Sequence, residues 1–208
     1  MINYSIIRLA EYGHLSKLNL EGNILDVGGS KKSGYHELIN GSHKFTVINI
    51  DQTCEPDLFV DIEKTFPFED NSYDHVICLN VLEHVFEFEN AFKEQVRCVK
   101  SGGKIVLAVP FMHYIHGSPD DYLRYTASAY RRLAAKYNVE IEEIFPLGDG
   151  LFSLVFQLIG GSVPTNFLRQ ALRRFSVFLD RSLNKVSEKY RKLASRIPLG
   201  YFVIFIKK

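Results

Sequence analysis

Asn23-Ile24-Leu25-Asp26-Val27-Gly28-Gly29-Ser30 is a short apolar run that ends in two glycines, and its reading decides the rest of the chain. A run of this length closed by turn residues is the pattern of a buried strand. Glycines at its end, feeding a helix, would leave backbone N–H groups unpaired, and the missing Cβ would let a ligand touch the backbone. Working outward, Lys44-Phe45-Thr46-Val47-Ile48-Asn49-Ile50 is a second, β-branched run that closes on Asp51, 23 positions after Gly28. A carboxylate at the end of the strand after a glycine turn can accept hydrogen bonds from both hydroxyls of a ribose. The glycine pair alone would equally serve a tight structural turn. Together with Asp51 it points to a nucleoside site.

Further strand signals follow at Leu58 to Asp61, Tyr73 to Asn80 and Lys104 to Pro110, with helical stretches between them. Val85, Phe88, Ala91/Phe92, Gln95/Val96 and Val99 recur every three or four residues, which predicts an amphipathic helix over 83–99 that Ser101-Gly102-Gly103 stops. After the fifth strand comes a loop, Phe111 to Tyr125, and then a helix over 128–137 with Thr126 as its N-cap. Val139 to Phe145 alternates as a strand with one wet face would, and Tyr201 to Ile206 is an apolar strand near the end. Between them Leu168, Leu172, Phe175, Leu179, Leu183, Val186, Tyr190 and Leu193 form one helical stripe. Strands alternating with helices imply an α/β fold built on a mostly parallel sheet. No repeat, linker or low-complexity tract divides the chain, so one domain is expected over 1–208, with a helical segment at 1–20 and a helical insertion at 150–197.

Composition bounds the function. With 46% hydrophobic and 24% charged residues the chain has an ordinary globular balance. The longest apolar run, Leu151 to Ile159, is interrupted by Ser153 and Gln157 and falls far short of the ~20 residues of a membrane span. The first residues lack the features of a secretory signal, so a cytoplasmic location is expected. Cys54, Cys78 and Cys98 have neither the number nor the spacing of a disulfide framework or a zinc site. The net charge of +1 hides an asymmetry: Thr165 to Arg196 carries nine Lys/Arg against Asp180 and Glu188, a segment of +7 that leaves −6 elsewhere. Its stripe could pack on the domain, mediate self-association or lie as a peripheral contact on an anionic membrane; packing is the favoured reading.

Taken in order, these pieces resemble the class I S-adenosylmethionine-dependent methyltransferases, especially the group with the methyltransferase type 11 domain. Asn23 to Ser30 looks like their first motif and Asn49-Ile50-Asp51 like their second. Asp57 to Asp61, followed by Phe66-Pro67-Phe68-Glu69-Asp70-Asn71-Ser72-Tyr73-Asp74, is similar to the stretch that ends the adenine pocket and enters the fourth strand. Asn80-Val81-Leu82-Glu83-His84-Val85 and Val99-Lys100-Ser101-Gly102-Gly103-Lys104 also match that group's patterns, and the likeness runs from about residue 22 to 112. It implies a Rossmann-like, doubly wound, mostly parallel seven-stranded sheet with an antiparallel C-terminal strand, the helical insertion preceding that strand. It also implies S-adenosylmethionine as cofactor. Asp26, Gly28, Gly29 and Ser30 would line its methionine part, Asp51 would bind the ribose, Asp61 and Ile62 would meet the adenine, and Asn80 would close the methyl-donor end. The usual Asp-x-Gly-x-Gly-x-Gly departs here to Asp26-Val27-Gly28-Gly29-Ser30-Lys31-Lys32, with Ser30 and Lys32 in place of two glycines.

The loop after the fifth strand gathers His113, His116, Pro119, Asp120, Asp121, Tyr122, Arg124 and Tyr125 at the carboxyl edge, where open α/β sheets bind ligands. The run from His116 to Thr126 is similar to one in methyltransferases encoded with cell-surface polysaccharide genes. A small-molecule or glycan hydroxyl is therefore the expected acceptor. His116 would be its base, since imidazole titrates near neutrality, and Asp121 would orient His116 or bind a sugar hydroxyl. The competing structural reading has both residues only fixing the loop, with Asp121 paired to Arg124. Glu83 would merely favour a helix N-terminus. Nucleic acid is a poor substrate candidate, because no Asn/Asp-Pro-Pro-Tyr element follows the fourth strand. A non-catalytic cofactor-binding scaffold and an NAD-dependent oxidoreductase are the alternative functions.

Overall fold

The computed structural model describes residues 4–117 and 119–208; residues 1–3 of the expected N-terminal helix and Ser118 of the loop lie outside them. Seven strands, β1 (Gly22–Val27), β2 (His43–Asn49), β3 (Leu58–Phe59), β4 (His75–Leu79), β5 (Lys104–Pro110), β6 (Val139–Leu147) and β7 (Gly200–Lys207), form one sheet in the order β3-β2-β1-β4-β5-β7-β6. The pairs β1–β2, β1–β4, β2–β3 and β4–β5 are parallel. β7 runs antiparallel between β5 and β6. The expected sheet, with its one reversed strand near the end of the chain, is therefore present.

Alternate residues of each strand point to opposite faces, and both faces are covered. Leu25, Val27, Val76, Cys78, Ile105, Leu107, Val203 and Phe205 pack with Ala91 and Phe92 of α2 (Phe88–Cys98) and Tyr130, Leu133 and Ala134 of α3 (Ala127–Tyr137). The residues between them, Ile24, Ile77, Leu79, Val106, Ala108, Phe202 and Ile204, pack with Ile6, Ile7 and Leu15 of α1 (Ile6–Leu15) on the other face. Burial on both sides is why the central strands read as unbroken apolar runs rather than alternating ones. Each such Leu, Ile or Phe contributes roughly 1.5–3 kcal/mol when fully buried.

Local structure departs from the sequence reading in four places. β1 does not feed an α-helix: a loop leads to a single 3-10 turn, Tyr35–Leu38. The helix expected over 83–99 begins at Phe88, after a 3-10 turn at Leu82–His84. Its would-be first turn is diverted, because the Glu83 carbonyl accepts from Tyr122 N–H (2.8 Å) and Leu123 N–H (3.3 Å). The Phe86 and Glu87 N–H groups meanwhile go to the Glu63 carboxylate. The third strand keeps only Leu58 and Phe59. The basic stripe is two helices, α5 (Asn166–Val186) and α6 (Glu188–Ala194), because Ser187 is extended and its hydroxyl caps α6 by accepting from Tyr190 N–H at 3.2 Å.

The segment before β7 also holds α4 (Leu151–Ile159), which is fastened to α5 by a buried acid. Asp180 accepts from Phe152 N–H at 3.0 Å, from Ser153 N–H at 2.7 Å and from the Tyr190 hydroxyl. One carboxylate thus caps α4 from another helix. Val177 packs against the α1 side of the core, while Phe167, Phe175 and Phe178 on the same helix stay exposed. Replacing Asp180 with Ala leaves two backbone donors without their acceptor. The expected loss is about 2–4 kcal/mol of stability, read as a lower urea midpoint at unchanged slope.

Candidate functional site

The loops that leave β1, β2, β4 and β5 open on one edge of the sheet, and the candidate residues converge there. A cavity of about 780 Å³ is lined by Gly28, Asn49, Ile50, Asp51, Cys54, Asp61, Ile62, Glu63, Asn80, Val81, His84, Val85 and Pro119. A second, of about 400 Å³, is lined by Tyr4, Arg8, Tyr12, Gly28, Gly29, Ser30, Lys32, Ser33, Tyr35, Leu79 and Asn80. Gly28 and Asn80 wall both cavities, so the two meet across the end of β1 and β4.

The glycine loop is shaped from beneath. Asp26 is fully buried, and its Oδ2 accepts from the Tyr35 hydroxyl and contacts His36 Nε2, each at 2.6 Å. A Cβ on Gly29 would lie 1.9 Å from that oxygen. Gly28 has φ +72°, and a Cβ there would press to 2.5 Å from Val81. Asn49 then pins the loop, its amide donating to the carbonyls of Gly28 (3.0 Å) and Gly29 (2.8 Å). Lys32, which stands where the motif has its last glycine, and Lys31 before it turn to the neighbouring acids: Lys31 pairs with Asp57, and Lys32 with Glu55 at 3.2 Å. Asp26 itself lies behind the loop rather than on a cavity wall.

Asp51 is exposed at the end of β2, and its Oδ1 accepts from Thr53 N–H at 2.8 Å. Hydrogen bonding at Thr53 holds its pKa below the usual carboxylate value. Asp61 is likewise kept acidic, first by Lys64, which stands 3.0 Å away, while Ile62 beside it is buried against the core. Asn80 adopts φ +54° directly after β4. Its N–H donates to the Ala108 carbonyl at 2.7 Å, and its amide donates to Glu11 at 3.2 Å. All three face the larger cavity.

On the other side of His84 the loop from β5 folds over. The His116 N–H donates to Asp121 Oδ2 at 2.9 Å, and Asp121 is gripped by both terminal nitrogens of Arg124. That guanidinium holds the Asp121 carboxyl well below the usual range. Asp121 therefore pairs with Arg124 and also fixes the backbone of His116. His116 Nε2 lies 3.9 Å and His84 Nε2 3.7 Å from Oε1 of Glu83. Glu83 is 0% exposed, and neither of its carboxylate oxygens has a hydrogen-bond partner among the described residues.

The comparisons with known proteins agree with this geometry. Residues 25–107 match a family model, Methyltransf_11, described as a methyltransferase domain. Over that stretch the chain carries the sequence pattern of a methyltransferase domain. Among solved structures it is similar to an S-adenosylmethionine-dependent methyltransferase from Mesorhizobium loti, with 14% identity and a TM-score of 0.62 over 95% of this chain and 98% of that one. It is also similar to a methyltransferase solved with the Trm112 methyltransferase activator of Haloferax volcanii, with 17% identity and a TM-score of 0.60 over 95% and 88%. A third likeness is to geranyl diphosphate C-methyltransferase from Streptomyces coelicolor, solved with Mg2+, geranyl diphosphate and S-adenosyl-L-homocysteine, with 14% identity and a TM-score of 0.61 over 97% and 79%. At these identities the likenesses speak for the fold. A curated relative, the uncharacterized protein MJ0638 of Methanocaldococcus jannaschii, is 46% identical over 43 residues, which are 21% of this chain and 19% of that protein. The strand order of the methyltransferase domain, with β7 reversed between β5 and β6, also departs from the 3-2-1-4-5-6 order of dinucleotide-binding folds.

Two groups at the site escaped the sequence reading. Arg8 and Tyr12, four residues apart on α1, wall the smaller cavity, and Glu11 between them is buried, with Arg8 at 3.2 Å. Their i, i+4 spacing on one helix face was the available signal. Glu83 was read as a helix-start residue and is instead a buried carboxylate beside two imidazoles.

Burial pushes the Glu83 pKa up to about 8. A carboxyl with a raised folded-state pKa stays protonated in the fold while the unfolded chain has already ionised. It therefore costs nothing below the unfolded value near 4.5, and an increasing amount as pH rises to about 8. In chelator-treated protein, E83Q is expected to match the parent Tm at pH 5 and to exceed it at pH 9. Equal pH dependence in both proteins would contradict the assignment.

Proposed function

We propose that this chain transfers the methyl group of S-adenosylmethionine to a hydroxyl of a small-molecule or glycan acceptor. The observation that carries the reading is the joined pair of cavities, which matches a two-part cofactor. The ribose hydroxyls donate to Asp51, the adenine lies on Ile62 with its amino group at Asp61, and the methionine part enters the smaller cavity along Gly28, Gly29 and Ser30. Arg8, across from that loop, supplies the cation for the methionine carboxylate. Asn80, common to both cavities, stands where the sulfonium must sit.

In the transfer the acceptor oxygen attacks the methyl carbon, the C–S bond breaks with its electron pair going to sulfur, and a new O–C bond forms. The hydroxyl proton must leave. The sulfonium is already a strong donor, so the protein acts chiefly by holding acceptor and methyl in line and excluding water. His116, at the acceptor side beyond His84, draws off the proton, and Asp121 is the positioning residue that fixes the His116 backbone. A hydroxyl acceptor is favoured because this side offers imidazoles and carboxylates that can accept its proton and hydrogen-bond neighbouring sugar hydroxyls.

Calorimetric titration with S-adenosylhomocysteine tests the cofactor half of the reading. Saturable one-to-one binding is expected, at least tenfold weaker in Asp51→Ala; absence of binding at millimolar ligand would overturn it. His116→Ala is expected to keep that affinity while losing roughly 10²-fold or more in turnover of a hydroxylated acceptor. Unchanged turnover would remove His116 from the chemistry.

A further inference from the structure

We propose that Glu83, His84 and His116 form a binding site for one divalent transition-metal cation, such as Zn2+, beside the methyl-transfer position. The inference rests on the proposed methyl transfer and deepens it.

The donor atoms already converge. One carboxylate oxygen of Glu83 and one ring nitrogen from each histidine lie within 4.8 Å of one another. A cation with bonds of about 2.1 Å holds its donors roughly 3–3.4 Å apart, so the donors must draw in by no more than about 1.5 Å to close around it. Glu83 supplies the observation that points to a ligand. Its carboxylate is fully buried and neither oxygen has a hydrogen-bond partner among the described residues, an arrangement that costs free energy unless a proton or a cation occupies it. The histidines, though near, stand at 3.7 and 3.9 Å, beyond hydrogen-bond reach.

The ring orientations supply a second argument. His84 Nδ1 lies 2.6 Å from the Asp120 carbonyl, and His116 Nδ1 lies 3.3 Å from the Tyr114 carbonyl and 3.4 Å from Asp121 Oδ2. A carbonyl can only accept, so each Nδ1 is the protonated nitrogen. In the neutral ring Nε2 is then the nitrogen with the lone pair, and it stands 3.7 Å (His84) or 3.9 Å (His116) from Glu83 Oε1. Metal-binding histidines are held in this way, the far nitrogen donating to a carbonyl or carboxylate. Asp121 also neutralises Arg124, the nearby cation that would otherwise oppose a metal.

Two imidazoles and one carboxylate select a borderline transition ion over Mg2+ or Ca2+, and three protein ligands leave positions open. His84 is part of the cavity wall, together with Asn80 and Pro119, so an acceptor hydroxyl beside Asn80, next to the cofactor, can reach the open positions. A hydroxyl bound there loses its proton to water more readily, because the cation stabilises the alkoxide. The alkoxide then takes the methyl group. With the cation bound, His116 promotes loss of the hydroxyl proton as its ligand, and this takes the place of the direct proton uptake given to it above.

The test uses the full chain freed of metal by chelator and titrated with Co2+ and Zn2+. One Co2+ per chain is expected, with visible absorption bands that Zn2+ abolishes. Co2+ affinity should fall more than tenfold in E83Q and in His116→Ala, the latter changing a side chain at the edge of the site. His43→Ala, on β2, should retain it. Absence of saturable Co2+ and Zn2+ binding overturns the proposal, as does binding that survives undiminished in the combined His84→Ala, His116→Ala variant. S-adenosylhomocysteine binding is measured on the same samples. If it persists while cation binding is absent, the metal inference alone fails; if it is absent too, the reading of the cofactor site fails with it.

Discussion

The carbonyl of Glu83 accepts two backbone N–H groups, from Tyr122 and Leu123, and the arrangement of the site depends on this joint. It ties the loop after β5 to the turn after β4, two segments nearly forty residues apart in sequence. Had the carbonyl gone to residue 87, as in a regular helix, Glu83 would stand on a helix surface and the His116 loop would have no fixed partner there. The Tyr125 hydroxyl reinforces the joint by donating to the Leu82 carbonyl at 3.0 Å. Local helical hydrogen bonds are exchanged for long-range ones, and Glu63 takes up the N–H groups that the exchange releases.

A similar exchange explains how the glycine loop keeps its shape with only two glycines. In the usual arrangement a helix after the first strand would stiffen such a turn. Here a buried carboxylate, Asp26, gathers Tyr35 and His36 from the following turn, and Asn49 holds the loop carbonyls from the second strand. The constraint moves from the loop's own backbone to its neighbours. Ser30 and Lys32 are tolerated because the Ser30 hydroxyl donates to the Cys54 carbonyl and accepts from the Lys32 N–H, while the Lys32 amine leaves towards Glu55.

The sheet was legible in the sequence because each central strand is buried on both faces, and that demand leaves an unbroken apolar run for the eye. The edge strand β3, with both residues exposed, left almost none, and its length was overestimated. The place of Asp51, Asp61 and Asn80 on the cavity wall was legible for a different reason: each sits just past a strand, where position along the chain fixes position at the sheet edge. Glu83 was not, because its character comes from Tyr122, Leu123 and His116, and no local pattern announces partners so distant. The break at Ser187 was hidden likewise, since apolar spacing continues across it and only the serine's cap marks the new helix. Periodicity reports which face is buried; it does not report where backbone hydrogen bonds are interrupted.

Arg8 and Tyr12 place the first helix over the smaller cavity, and this has a kinetic meaning. Whatever rests against Gly29 and Ser30 is enclosed on one side by a helix that Ile6, Ile7 and Leu15 anchor in the core and that reaches Asn80 through Glu11. Moving that helix aside would bring Ile6, Ile7 and Leu15 into water, so the low-cost route by which an occupant exchanges with solvent runs past the loops rather than past α1.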